Sequence, residues 1–164
     1  MTYASSVSFY DVLLFLHVLG AFALMGAITL FSIVVMATWR AQRPSDIVEL
    51  AVITRVGGLL VMAGTLMTIV LGVWLTIDLD QYHLWDGWVI AAIVLWAIGA
   101  ETGRRAADAY GRIGAEAAGL APAGDGATPE LGARNRSAQA LGMHLVSTCA
   151  MLLILADMIW KPGT

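Results

Sequence analysis

Four long apolar stretches, at about residues 10–38, 56–77, 87–100 and 141–160, take up most of a 164-residue chain. A helix needs about 20 apolar residues to cross the hydrocarbon core of a bilayer. The first, second and fourth stretches reach that length with no lysine or arginine inside them. The third reaches it only if the run from Trp85 to Ala100 continues through Ala106 and Ala107, which sets the expected span at 86–106. Charged residues make up 13% of the chain, against about 25% in ordinary soluble domains, so a water-soluble core does not explain the pattern. The sequence predicts an all-α integral membrane four-helix bundle, a single transmembrane domain over 1–164, with three spans as the alternative count.

Charge sets the expected orientation. Arg40, Arg43 and Arg55 flank the first connection, and Arg104, Arg105, Arg112, Arg134 and Arg136 lie between the last two spans. The connection between spans two and three carries Asp78, Asp80 and Asp86 and no basic residue. By the positive-inside rule the arginine-bearing connections face the cytoplasm of a bacterial plasma membrane and both termini face outward. Lys161 is the one charge against this assignment. Trp74, Trp85, Trp88 and Trp160 then form an outer aromatic belt, with Trp39 at the inner one. Helix signals extend the spans on the cytoplasmic side: Ser45 caps a helix starting near Asp46, and Thr128, Pro129 and Glu130 stand in the order of a helix start. Gly114 to Ala127, rich in Gly and Ala, reads as a flexible loop. The first stretch lacks the basic start and short apolar core of a cleaved signal, so it is expected to be retained.

Lipid supplies little hydrophobic force between helices, and small residues that admit close backbone approach hold membrane bundles together. Gly57, Gly64, Thr68 and Gly72 fall on one face of the second span, and Gly20, Ala23 and Ala27 on one face of the first. These stripes read as packing faces, the alternative being that they leave room for a flat cofactor.

The chemistry-bearing residues are few. The lone cysteine, Cys149, excludes a disulfide or a CxxC site within one copy, and the net charge of −3 carries no nucleic-acid signal. His17 lies inside the first span, where an ionisable group is costly unless partnered. Three readings fit it: a hydrogen bond to a neighbouring helix and no more, ligation of a haem or metal, or proton and quinone chemistry. His144 belongs to the opposite depth, so one iron does not reach both rings; it reads as a separate site or a packing histidine. Asp11, His17, Asp78, Asp80, His83, Asp86 and Asp157 all belong to the outer side. Imidazole with carboxylate suits zinc or copper, and imidazole alone a haem; the alternative is that Asp86 and Asp11 belong to helix starts and Asp78 and Asp80 are solvated loop charges. Asp157, between Ala156 and Met158, needs a partner. Glu101 and Arg105 are spaced to pair at i, i+4.

The run from Phe15 through His17, Gly20 and Ala23 to Ala27 resembles the opening helix of small bacterial four-helix membrane proteins. These are an uncharacterised predicted integral-membrane family and, more distantly, the copper-resistance protein D family and the HemJ-type protoporphyrinogen oxidases. In the HemJ-type enzymes the corresponding histidine is associated with haem b, a role the resemblance carries to His17 alone. Leu30 to Thr38 holds no charge where those enzymes have an aromatic, Arg-bearing stretch, so the resemblance implies haem binding rather than their catalysis. The expected function is a redox-type membrane protein holding a b-type haem near its outer face through His17, with His83 or Asp157 as second groups. Copper or zinc at the same residues is the alternative to haem, and a quinone the electron partner. A structural or assembly subunit, binding another membrane protein or a second copy without chemistry of its own, is the competing class. A small transporter ranks third.

Overall fold

The computed structural model describes residues 7–78, 83–124, 126–127 and 129–162, with the side chain of Asp78 excepted. Helix α1 (Phe9–Arg40) opens on a capping box: the Asp11 N–H donates to Ser8 Oγ at 3.2 Å and the Ser8 N–H donates to the Asp11 carboxylate at 2.9 Å. Such a cap stabilises a helix start by about 1 kcal/mol. The chain turns extended at Ala41 and resumes as α2 (Pro44–Asp78). Pro44 occupies the first helical position, where a missing N–H costs nothing, so α2 starts ahead of the Ser45 cap expected from the sequence. A three-residue link forces α1 and α2 side by side and antiparallel.

Helix α3 (Gly87–Leu120) follows, then one turn of 3₁₀ helix (Ala121–Ala123), the short α4 (Pro129–Asn135) and α5 (Ala138–Trp160). Ser137 caps α5 by accepting the Ala140 N–H at 3.3 Å. Lys161 ends it in the left-handed region at φ 40°, with its N–H donated to the Asp157 carbonyl at 2.8 Å; Pro162 prevents continuation. Thr128 and Asp80 lie outside the described residues.

The expected flexible loop from Gly114 is shorter than the sequence suggested, because α3 runs on to Leu120. Two forces carry it. Alanine is the strongest helix former, and Ala117, fully buried, packs with Ile47, Ile113 and Leu131 into a small core. Gly114 serves as a contact rather than a hinge: a Cβ there would stand 3.0 Å from that of Ala51 on α2. At this end α4 closes the structure. Asn135, fully buried, donates from Nδ2 to the Ala41 carbonyl at 3.2 Å, and Arg134 pairs with Glu116 at 2.6 Å. Burial beside this core pushes the Tyr110 phenol above its usual pKa, so the hydroxyl stays neutral. Glu101 pairs with Arg105 at 2.7 Å, as its spacing predicts, and with Arg104 at 2.9 Å; Arg104 also reaches Asp108 at 2.9 Å. We call this the arginine end and the other the acidic end.

The four long helices pack as α1 on α2, α2 on α3 and α3 on α5, while α1 and α5 touch at few points. Glycine brings the partners close. A Cβ on Gly64 would lie 2.9 Å from the Gly20 carbonyl, and one on Gly20 would lie 2.8 Å from Thr68 Oγ1. Gly57 faces Phe31 and Gly72 faces His17, so the α2 stripe is a packing face along its whole length. The α3–α5 contact uses Gly99 and Gly103, four residues apart; Ser147 Oγ donates to the Gly99 carbonyl at 2.8 Å and leaves no room for a Cβ on Gly103.

Among the described residues three stretches are long and apolar enough to cross a membrane: Phe9–Arg40, Pro44–Ile77 and Pro129–Trp160. The apolar run of α3 is cut short by Glu101, Arg104 and Arg105. Large apolar side chains point away from the bundle on every long helix, among them Phe22, Met62, Leu66, Ile93 and Ile159, as contact with lipid requires. The expected tryptophan belt loses one member, because Trp88 is 6% exposed and packs inward beneath the Lys161 ammonium, 5.5 Å from its ring.

These contacts separate two glycines of the same helix. Gly64→Ala meets the Gly20 backbone and is expected to destabilise the protein by about 1–3 kcal/mol. Gly58→Ala meets nothing within 4 Å and is expected to stabilise it by up to about 1 kcal/mol through helix propensity. Thermal unfolding of the two variants in detergent checks the opposite signs.

Candidate functional site

His17 sits half-buried on α1, on the face that meets α2. Its Nδ1 lies 3.0 Å from the Thr68 carbonyl oxygen. A carbonyl only accepts, so Nδ1 carries the proton and donates it, and the neutral ring presents a lone pair at Nε2. Among the described residues Nε2 has no hydrogen-bond partner. Gly72 makes the seat: a Cβ there would come within 2.9 Å of Cε1 and 3.2 Å of Nδ1. Beside it the Thr68 hydroxyl is buried without a partner among the described residues. One turn of α2 thus positions the imidazole through a carbonyl below it and an absent side chain beside it.

Toward the acidic end, the expected groups among the described residues have separate surroundings. Phe9 on α1 meets Trp74 on α2 edge to face, with ring centroids 6.0 Å apart, so the start of α1 and the end of α2 share a level. His83 is exposed, and its ring leans on Trp85 at 4.7 Å. Its backbone N–H donates to Asp86 Oδ2 at 2.8 Å, which takes that carboxylate away from capping α3. Asp11 is committed to the α1 cap. Asp157 is 8% exposed near the end of α5, and its Oδ2 has no partner among the described residues. No group of three or more His, Cys, Asp or Glu side chains converges among the described residues.

His144 belongs elsewhere. Its Nε2 lies 3.0 Å from Ser32 Oγ on α1, and the Ser32 hydroxyl also lies 2.9 Å from the Ile28 carbonyl. From His17 to Ser32 is fifteen residues of α1, about 22 Å along the axis, so the two imidazoles occupy separate levels, as the sequence implied. The Ser32–His144 bond is one of the few contacts between α1 and α5.

Sequence reasoning found His17 and the α2 glycines but not that they form one object. Thr68 and Gly72 lie on the same face of α2, which the sequence marks chiefly for packing, and their position opposite His17 fixes a tautomer. The Gly99–Gly103 pair with Ser147 was also passed over, although its four-residue spacing was readable.

A model for the family described as "Predicted integral membrane protein (DUF2269)" matches residues 11–162. The chain belongs to this family. The match spans all four long helices, and with them the His17 seat and both glycine contacts. No curated protein and no solved structure matches the chain.

If His144 is a bridge between helices, Ser32→Ala and His144→Ala should each lower stability by about 1 kcal/mol, and the double variant should cost little more than either single one. A double-mutant cycle from thermal unfolding in detergent measures the coupling.

Proposed function

We propose that this membrane protein is of redox type and holds a b-type haem near the acidic end through His17 Nε2. The observation that supports the reading is the Nδ1–Thr68 bond. Ligating histidines characteristically donate their second ring N–H to a carbonyl or carboxylate, which fixes the tautomer and raises the basicity of the ligating nitrogen. A histidine that served only to join α1 to α2 would not need Nε2 left open. The seat over Gly72 and the unpartnered Thr68 hydroxyl fit a ring held for a ligand. Haem supplies one-electron transfer; the residues of this chain hold the ring, set its tautomer and keep the site in an apolar surround. His83 and Asp157, both at the acidic end, are the proposed second groups, and a membrane quinone the proposed electron partner. Copper or zinc at the same residues is the variant of this reading.

The arginine end is proposed to face the cytoplasm, following the positive-inside rule, with both termini and His17 on the outer side of a bacterial plasma membrane. In this reading α3 is the fourth span. Its contact at Gly99 holds the end of its apolar run alongside Ala150 and Met151 of α5, and the helix continues past Gly103, which packs on Ser147.

The test is an absorption spectrum of detergent-purified protein, oxidised and then reduced with dithionite, with elemental analysis of the same sample. A Soret band that sharpens on reduction is expected in the wild type and in His144→Ala, and its loss in His17→Ala that still elutes as a folded protein. Gly72→Ala is expected to keep the fold and lower haem occupancy by displacing the ring. A featureless wild-type spectrum without stoichiometric metal overturns the reading in favour of a partner-binding subunit.

A further inference from the structure

A cleft of about 310 Å³ opens at the arginine end, between α3 and the start of α5. Arg104, Arg105 and Arg112 line it from α3, with Ser137 and Gln139 at the first turn of α5 and Met143 one turn on. One carboxylate, Asp108, also lines it and is paired with Arg104 at 2.9 Å. Glu101, outside the lining, takes Arg104 and Arg105. Arg112 has no hydrogen bond or ion pair among the described residues. The walls therefore hold three guanidinium groups against one carboxylate, and one guanidinium is free.

We infer that this cleft binds the phosphodiester headgroup of an anionic membrane lipid. Guanidinium groups match phosphate oxygens with paired N–H donors. The open N–H groups of the first turn of α5 add to the same positive field, as a supplement to the arginines. Depth decides between a lipid and a dissolved phosphate. Met143 lies within the apolar run of α5, which begins at Leu141, and Gly103, beside Arg104, packs against Ser147 of that run, so the cleft descends from the membrane surface alongside the lipid-embedded part of α5. Above it Leu145 and Val146 are about half exposed, at 52% and 47%, and offer apolar surface to acyl chains. Basic pockets between spanning helices at this depth are suited to anionic headgroups.

The full chain is reconstituted in phosphatidylcholine nanodiscs doped with phosphatidylglycerol, and bound lipid is counted by native mass spectrometry. The wild type is expected to retain phosphatidylglycerol over phosphatidylcholine, and Arg105→Gln/Arg112→Gln to lose at least about tenfold of that preference. Glu101 keeps Arg104 in the double variant, so the helix retains an ion pair there. Arg136→Gln removes one arginine at the same end but outside the cleft, and is expected to leave the preference unchanged, whereas Arg112→Gln alone lowers it. Equal retention of the two lipids by wild type, or an equal loss with Arg136→Gln, overturns the site. Displacement of the lipid by soluble glycerophosphate at millimolar concentration overturns the lipid assignment and leaves a site for a free phosphate ester. Circular dichroism of each variant in phosphatidylcholine alone separates loss of binding from loss of fold.

Discussion

The approach of α1 to α2 at Gly20 and Gly64 is the constraint on which the rest of this structure depends. Lipid tails are as apolar as the side chains they touch, so burial does not drive these helices together. Contact between backbones does, and it requires glycine on both sides: each of these two positions lies within about 3 Å of a partner atom when given a Cβ. Once the helices are locked there, everything along the pair is in fixed register. Gly57 meets Phe31 toward the arginine end, and His17 meets Thr68 and Gly72 toward the acidic end.

That register gives His17 its character. An intramembrane imidazole without partners is costly. Here one nitrogen is satisfied by a backbone carbonyl that no side-chain substitution removes, and the other is left open. The same residue thus both ties α1 to α2 and presents a lone pair. His144 follows another logic, with its bond to Ser32 spent on joining α1 to α5. The arginine end is built differently again. Helices leave lipid there, burial in water contributes, and the largest fully buried side chains among the described residues, Leu131, Asn135 and Pro44, are found in that cap.

The architecture was legible because bilayer crossing leaves a strong mark: long apolar runs, arginines at one end and small-residue stripes are all visible in one dimension. Helix α3 was harder, since its apolar run stops at Glu101 and its continuation to Leu120 depends on the core around Ala117 and Leu131, which only the fold assembles. His17 stood out by being polar inside an apolar span. What made it more than that, the Thr68 carbonyl fifty-one residues away, is a backbone atom and leaves no trace in residue identity. Trp88 is hard to place for a related reason: its ring lies inward beneath Lys161, a contact between the start of α3 and the end of α5 that neither helix's own pattern displays.

The central claim is that α2 holds the His17 ring with Nδ1 protonated and Nε2 free for an iron. Solid-state nitrogen-15 NMR of histidine-labelled protein in bilayers reads this directly, with the His17 signals assigned by their loss in His17→Gln. The account predicts a protonated, hydrogen-bonded Nδ1 and an unprotonated Nε2 in the haem-free protein, with haemin shifting Nε2 and leaving the Nδ1 proton in place. A ring protonated at Nε2, or one whose nitrogens do not respond to haemin, would contradict it.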